Sequence, residues 1–135
     1  MADAERPLEF RRVFSGTQWE PVVGYCRAVR AGSHIFVSGC APVAEGGGVH
    51  APGDAYAQAR RCLEIGLRAL SELGAGAGHV VRTRMFVTDI ARWQEYGRAH
   101  GEVFAATPPA TSMVEVKGLI DPLMLIEIEL DAVAP

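Results

Sequence analysis

The segment Leu125-Ile126-Glu127-Ile128-Glu129-Leu130 constrains this chain more than any other. At the two-residue period of a strand, Ile126, Ile128 and Leu130 share one face, and Glu127 and Glu129 share the other. A strand so apolar on one side belongs against a core. The carboxylates behind it then need water, a partner chain or a ligand. A preceding strand, Ala110 to Val116, follows the break at Thr107-Pro108-Pro109 and leads into the last strand, Met124 to Ala132, through a turn around Lys117-Gly118 and Asp121-Pro122.

The upstream elements decide how such strands are covered. Residues 1–8 read as a loose start and Arg11 to Ser15 as a first edge strand. Tyr25 to Arg30 and His34 to Ser38 flank the turn Ala31-Gly32-Ser33 and read as a hairpin. Asp54 to Leu73 carries Ala59, Cys62, Leu63, Gly66, Leu70 and Leu73 at steps of three and four, which predicts an amphipathic helix. Asp54 is its expected N-cap, and Gly74 sits where a helix stops. Val80 to Val87 is the next strand, and Trp93 to Phe104 a shorter helix. The glycine-rich stretch from Gly74 to Gly78 opens no helix, so it is not a phosphate loop.

The order βββαβαββ predicts an α+β fold with one sheet covered by helices on one side. By alternation, the uncovered face is expected to carry Thr111, Met113 and Glu115 on one strand and Leu125, Glu127 and Glu129 on the next. A half-apolar sheet face of this size calls for another subunit, so the chain is expected to be an oligomer.

A chain of 135 residues suits one domain spanning 1–135. Its net charge of −3 argues against a nucleic-acid partner, because phosphate binding needs a basic face. The three cysteines, Cys26, Cys40 and Cys62, make no disulfide framework. They and the four scattered histidines show no metal-ligand spacing, so no metal is expected. No signal-like N-terminus and no membrane-length apolar run is visible, which makes a reducing cytoplasmic setting the default expectation, with no membrane partner.

Several short stretches, in order and at characteristic spacing, resemble the Rid family (reactive intermediate deaminases, also YjgF-type or endoribonuclease L-PSP). They are Gly24-Tyr25, Phe36-Val37-Ser38-Gly39, Ala57-Gln58-Ala59-Arg60, Val81-Arg82-Thr83, Phe86-Val87-Thr88-Asp89, Pro109-Ala110, Val114-Glu115-Val116 and Ile126-Glu127-Ile128-Glu129. The resemblance covers nearly the whole chain. It implies a chorismate-mutase-like fold, with a six-stranded mixed sheet backed by two helices, assembled as a homotrimer with ligand sites in the clefts between subunits. It also implies hydrolysis of 2-imino acids, or their enamine tautomers, without metal or organic cofactor. An imine carbon is already electrophilic, so the protein need only place a water, hold the substrate and move protons.

Carried over residue by residue, the resemblance makes Glu127 the group that orients or activates water. Tyr25, Ser38, Gly39 and Thr111 become pocket residues. Thr111 stands where the family has the arginine that grips a substrate carboxylate, Gly97 where well-studied members have an asparagine, and Met113 where they have a cysteine. These departures imply an arginine-lacking branch, since threonine offers no charge and no bidentate fork, and with it a substrate without a free α-carboxylate or one bound by Arg27. Arg27, two residues after Tyr25, is expected on the same strand face and is the leading substitute cation, with Arg84 behind it. Cys40 and His100 read as structural, Glu129 as structural or solvated, and Glu115 as structural.

The leading expectation is therefore a homotrimeric small-molecule enzyme acting on an imine, enamine or related nitrogen intermediate. A pathway-specific condensation or tautomerisation catalyst in the same pocket is a variant. The alternative is a trimeric ligand-binding or regulatory protein without catalysis. RNA cleavage ranks last, because no RNA-binding motif or catalytic histidine pair is visible.

Overall fold

A computed structural model describes residues 7–135, so the loose start expected over residues 1–8 lies outside the described residues except for Pro7 and Leu8. Six strands form one mixed sheet: β1 (Phe10–Val13), β2 (Ala28–Ala31), β3 (His34–Cys40), β4 (Val80–Val87), β5 (Ala110–Glu115) and β6 (Ile126–Val133), in the spatial order β1-β2-β3-β6-β4-β5. Only β4 and β5 run parallel; the other neighbours are antiparallel. Three helices accompany them: α1 (Trp19–Val23), α2 (Ala55–Glu72) and α3 (Trp93–Phe104). The short α1 is absent from the sequence expectation. It has one buried residue, Glu20, and no amphipathic stripe to announce it.

The two long helices follow the sequence reading. Asp54 caps α2 by accepting the Ala57 N–H at 2.9 Å, and Gly74 follows its end at φ 81°, a conformation open mainly to glycine. The helix buries Ala59, Cys62, Leu63, Gly66 and Leu70, and α3 buries Tyr96, Ala99 and Phe104. Both lie on the face of the sheet formed by Ile35 and Val37 of β3, Ile126, Ile128 and Leu130 of β6, and Met85 and Val87 of β4.

The last two strands do not pair with each other. β4 lies between them, and this corrects the expected uncovered face. The β4–β5 register sets Thr111 beside the buried Thr83, Met113 beside Met85 and Glu115 beside Val87. Thr111, Met113 and Glu115 therefore point to the helix side, and Met113 packs against the core, as does Leu125 just before β6. Alternation within one strand gives relative faces only; the neighbour in register decides which face is which. The uncovered face carries Glu127, Glu129 and Asp131 of β6, Arg84 and Phe86 of β4, and Phe36 of β3.

Two buried contacts fix how α2 meets β6. Gln58 is fully buried; its Oε1 accepts the Leu125 N–H at 2.8 Å and its Nε2 donates to the Leu123 carbonyl at 3.0 Å. The side chain thus acts as a missing ladder partner for the backbone that enters β6. Gly66 lets helix and strand approach closely: a Cβ there would overlap Leu130 Cδ1, with Cys40 Sγ at 3.5 Å. Gly66→Ala should therefore destabilise the fold by about 1–3 kcal/mol despite alanine's better helix propensity, read as a lower urea midpoint at unchanged slope. An unchanged or higher midpoint would show that Leu130 repacks freely.

Candidate functional site

The site is built around an irregularity in the sheet. Val37 pairs with Leu130 and Cys40 with Ile128, so Ser38 and Gly39 on β3 oppose Glu129 alone on β6. This β-bulge resets the strand's phase, which is how Val37 and Cys40, three positions apart, both face the core. It also brings Gly39 against the next carboxylate. A Cβ on Gly39 would lie 2.6 Å from Glu127 Oε2 and 2.8 Å from its carboxyl carbon. Glycine here makes the room in which the Glu127 carboxylate rests.

Glu127 and Gly39 help line an open cleft of about 940 Å³, together with Tyr25 and Arg27 from the segment entering β2. The loops 14–19 and 43–48 and the outer side of α2 form its walls. Arg27 is only 6% exposed, and its guanidinium carbon lies 5.7 Å from the centroid of the Tyr25 ring, a cation–π distance. The expectation that Tyr25 and Arg27 project together is met, although β2 begins only at Ala28. The loop wall is held by Glu20 of α1, which accepts the Ser15 N–H at 3.0 Å, the Ser15 hydroxyl at 2.9 Å and the Gly16 N–H at 2.9 Å. Burial opposes the charged form of Glu20, but these donors and the nearby Arg27 outweigh it and hold its carboxyl below the ordinary range. Sequence reasoning missed Glu20. The signal available was a carboxylate four residues after Ser-Gly, at the start of a helix too short to show a period.

Glu127 behaves in the opposite way. Burial pushes its carboxyl above the ordinary range, Arg27 pulls it part of the way back, and Glu129 adds to the rise. Burial also pushes the Cys40 thiol up to about 12 and raises Cys62 well above normal, so neither is a nucleophile at neutral pH. Cys40 is fully buried and its thiol meets the Ser38 carbonyl at 3.3 Å, a structural role.

The remaining candidates lie elsewhere. Ser38 does not line the cleft; its hydroxyl donates to the Cys26 carbonyl at 2.7 Å and its N–H to the Arg27 carbonyl at 2.9 Å, so it ties β3 to the segment carrying Arg27. Thr111 is exposed on the edge strand β5, with its hydroxyl 2.8 Å from that of Thr83, which in turn lies 2.8 Å from His100 Nε2. Burial alone lowers the His100 pKa and favours the neutral ring. Arg84 is taken up on the uncovered face by Asp131 at 3.1 Å and Glu129 at 3.8 Å, which removes it as a cleft cation and gives Glu129 a structural partner. Glu115 accepts the Ile90 N–H at 3.0 Å, also a structural role. Among the described residues, no group of three or more His, Cys, Asp or Glu side chains gathers as a metal site would require.

The raised Glu127 pKa has a stability consequence. Between the ordinary carboxylate range and the raised value, the folded chain holds a proton that the unfolded chain has lost, so Glu127's contribution falls as pH rises through that window. Glu127→Gln should melt higher than the unaltered protein at pH 7.5, and the gap should narrow as pH is lowered through the window. Melting curves across pH would contradict this if the gap were constant or reversed.

Comparison with known proteins agrees with this architecture. Residues 16–134 match the family described as Endoribonuclease L-PSP. The chain is 35% identical over 122 residues to an uncharacterised protein of Streptomyces coelicolor, covering 90% of each. It is 35% identical over 108 residues to the 3-aminoacrylate deaminase RutC of Acinetobacter baylyi, covering 80% of this chain and 85% of that protein. The crystal structure of a YjgF/YER057c/UK114 family member from Mycobacterium tuberculosis superimposes with a TM-score of 0.85 at 43% identity, covering 93% of this chain and 100% of that one. The match over nearly the full length, together with the shared sheet and helices, establishes that this chain belongs to the Rid (YjgF, Endoribonuclease L-PSP) family.

Proposed function

We propose that this protein is a small-molecule enzyme that hydrolyses or otherwise processes an imine, an enamine or a related reactive nitrogen intermediate, with Glu127 as the acid–base group. The observation that carries this reading is the Glu127 carboxylate, set beside Gly39 in an open cleft, with burial raising its carboxyl above the ordinary range. In hydrolysis, Glu127 in its protonated form gives its proton to the imine nitrogen, and the carboxylate so formed takes a proton from water as the oxygen adds to the imine carbon. It passes that proton to the amine nitrogen of the carbinolamine and takes the remaining hydroxyl proton as the carbon–nitrogen bond breaks, leaving a carbonyl and ammonia. An enamine enters the same route once protonated at carbon. The 3-aminoacrylate deaminase among its relatives acts, by its name, on such an enamine.

The proposal includes one Rid-like domain over residues 1–135 with a chorismate-mutase-like homotrimeric assembly, its clefts completed between subunits. The uncovered sheet face supports this, since Phe36, Val114 and Val133 are 48%, 46% and 41% exposed. Tyr25 and Gly39 would shape the pocket directly, and Ser38 would hold its floor. Thr111, on an edge strand and away from this cleft, would reach one only from a neighbouring subunit. The second reading, ligand binding without catalysis, is favoured by Thr111 itself, which brings no charge and has its hydroxyl engaged by Thr83. RNA cleavage finds less support, because His79 Nδ1 accepts the Gly76 N–H and His100 contacts Thr83.

The deciding experiment generates 2-imino acids with an amino-acid oxidase and traps the survivors with semicarbazide. The unaltered protein should divert imine to keto acid, and Glu127→Ala should reduce kcat/KM by about 100-fold or more. Gly39→Ala should lose most of the activity too, since it displaces the carboxylate without deleting it, and should keep a near-normal melting temperature. Full turnover in Glu127→Ala would sink the enzyme reading as stated. Sedimentation should give a trimer; a stable monomer would overturn the assembly.

A further inference from the structure

Arg27 presents an unresolved charge. Its Nε is, among the described residues, the buried side-chain nitrogen or oxygen with no hydrogen-bond partner. None of the ion pairs among the described residues includes it. A guanidinium stays protonated at any pH the fold survives, so burial does not neutralise it. Two carboxylates stand within electrostatic reach. Glu20 has its oxygens committed to Ser15 and Gly16, and Glu127 lies against Gly39. The Tyr25 ring holds the cation through its π face, a contact that leaves the N–H donors unused. A guanidinium in no ion pair among the described residues, lining an open cleft beside the proposed acid–base group, is a receptor for a planar anion.

We propose that Arg27 is the anion-binding residue of the cleft, that it takes a ligand monocarboxylate, and that this binding is linked to proton uptake by Glu127. The inference rests on the small-molecule reading of the cleft and adds the direction from which the ligand is held. The two nearby carboxylates favour a monoanion over a dianion. Thr111, expected from the family resemblance to stand where a carboxylate-gripping arginine would, brings no charge to that task. Linkage follows from the neighbours of Glu127. Arg27 is the cation that favours its charged form. Glu129 on the same strand opposes that form, as does burial. Cys40 of β3 and Cys62 of α2 lie behind it on the core side as neutral thiols, and β4 presents the uncharged Phe86 in register. On the cleft wall, Glu45, Arg61, Arg68 and Glu72 are the other charged groups. Once a ligand carboxylate pairs with Arg27, Glu127 loses that support and gains a negative neighbour. It therefore draws a proton from solvent, and binding strengthens as pH falls.

Calorimetric titration with sodium 2-oxobutanoate and sodium benzoate, in two amine buffers of different ionisation enthalpy, tests this without turnover. The unaltered protein should bind at least one probe with net proton uptake. Arg27→Gln should lose about 10- to 100-fold in affinity. Arg27→Lys, which keeps the charge and serves if the glutamine variant does not fold, should bind more weakly than the unaltered protein but still take up protons. Glu127→Gln should bind without proton uptake and with little dependence on pH. Equal binding by Arg27→Gln, no binding of either probe by the unaltered protein, or binding without proton uptake would each overturn the proposal. Probe binding through Arg27 with no imine hydrolysis would overturn the enzyme reading alone. Glu127-dependent hydrolysis with Arg27→Gln binding normally would overturn this inference alone.

Discussion

The structure depends on β6 being hydrogen-bonded on both edges. β3 pairs with one side and β4 with the other, so the strand made last joins a three-stranded N-terminal half to a two-stranded C-terminal half. Its apolar residues supply the centre of the core beneath α2, and its acidic residues emerge on the opposite face. Core and candidate site are thus the two sides of one strand, and the register of β6 sets both. Gln58 and Gly66 anchor that register from the helix side. A slip of one residue would bury the carboxylates and expose the isoleucines, which strongly selects the observed pairing.

The bulge at Ser38–Gly39 converts this frame into a site. An uninterrupted β3 could not direct both Val37 and Cys40 inward, and a side chain at position 39 would collide with the Glu127 carboxylate. Charge is arranged around that point unevenly. Glu20 is fully supplied with donors, Glu127 lies on a desolvated surface, and Arg27 stands near both with no bond to either among the described residues. A folded protein with no use for the cleft would be expected to pair such an arginine, because an unpaired buried charge opposes folding.

Much of this was legible in the residues. The boundaries of the long helices, the capping by Asp54, the β2–β3 hairpin and the two faces of β6 follow from local period and cap chemistry. The approach of Arg27 to Tyr25 followed from their two-residue spacing. Thr111, Met113 and Glu115 were assigned to the wrong face because a strand's own alternation does not say which neighbour it will meet. Glu20 and Gln58 were missed as anchors because most of their partners are backbone groups, which carry little signature in sequence.

By itself, the sequence determined the six strands and two long helices, their order and the segregation of carboxylates from aliphatic residues on β6, because period and turn chemistry act over a few neighbouring positions. Tertiary structure alone decided that β4 enters between β5 and β6, that the bulge falls at Gly39, and that Arg27 lacks a partner among the described residues. These are outcomes of register and of competition for space and hydrogen bonds between segments tens of residues apart, and such competition is settled only when the whole sheet closes.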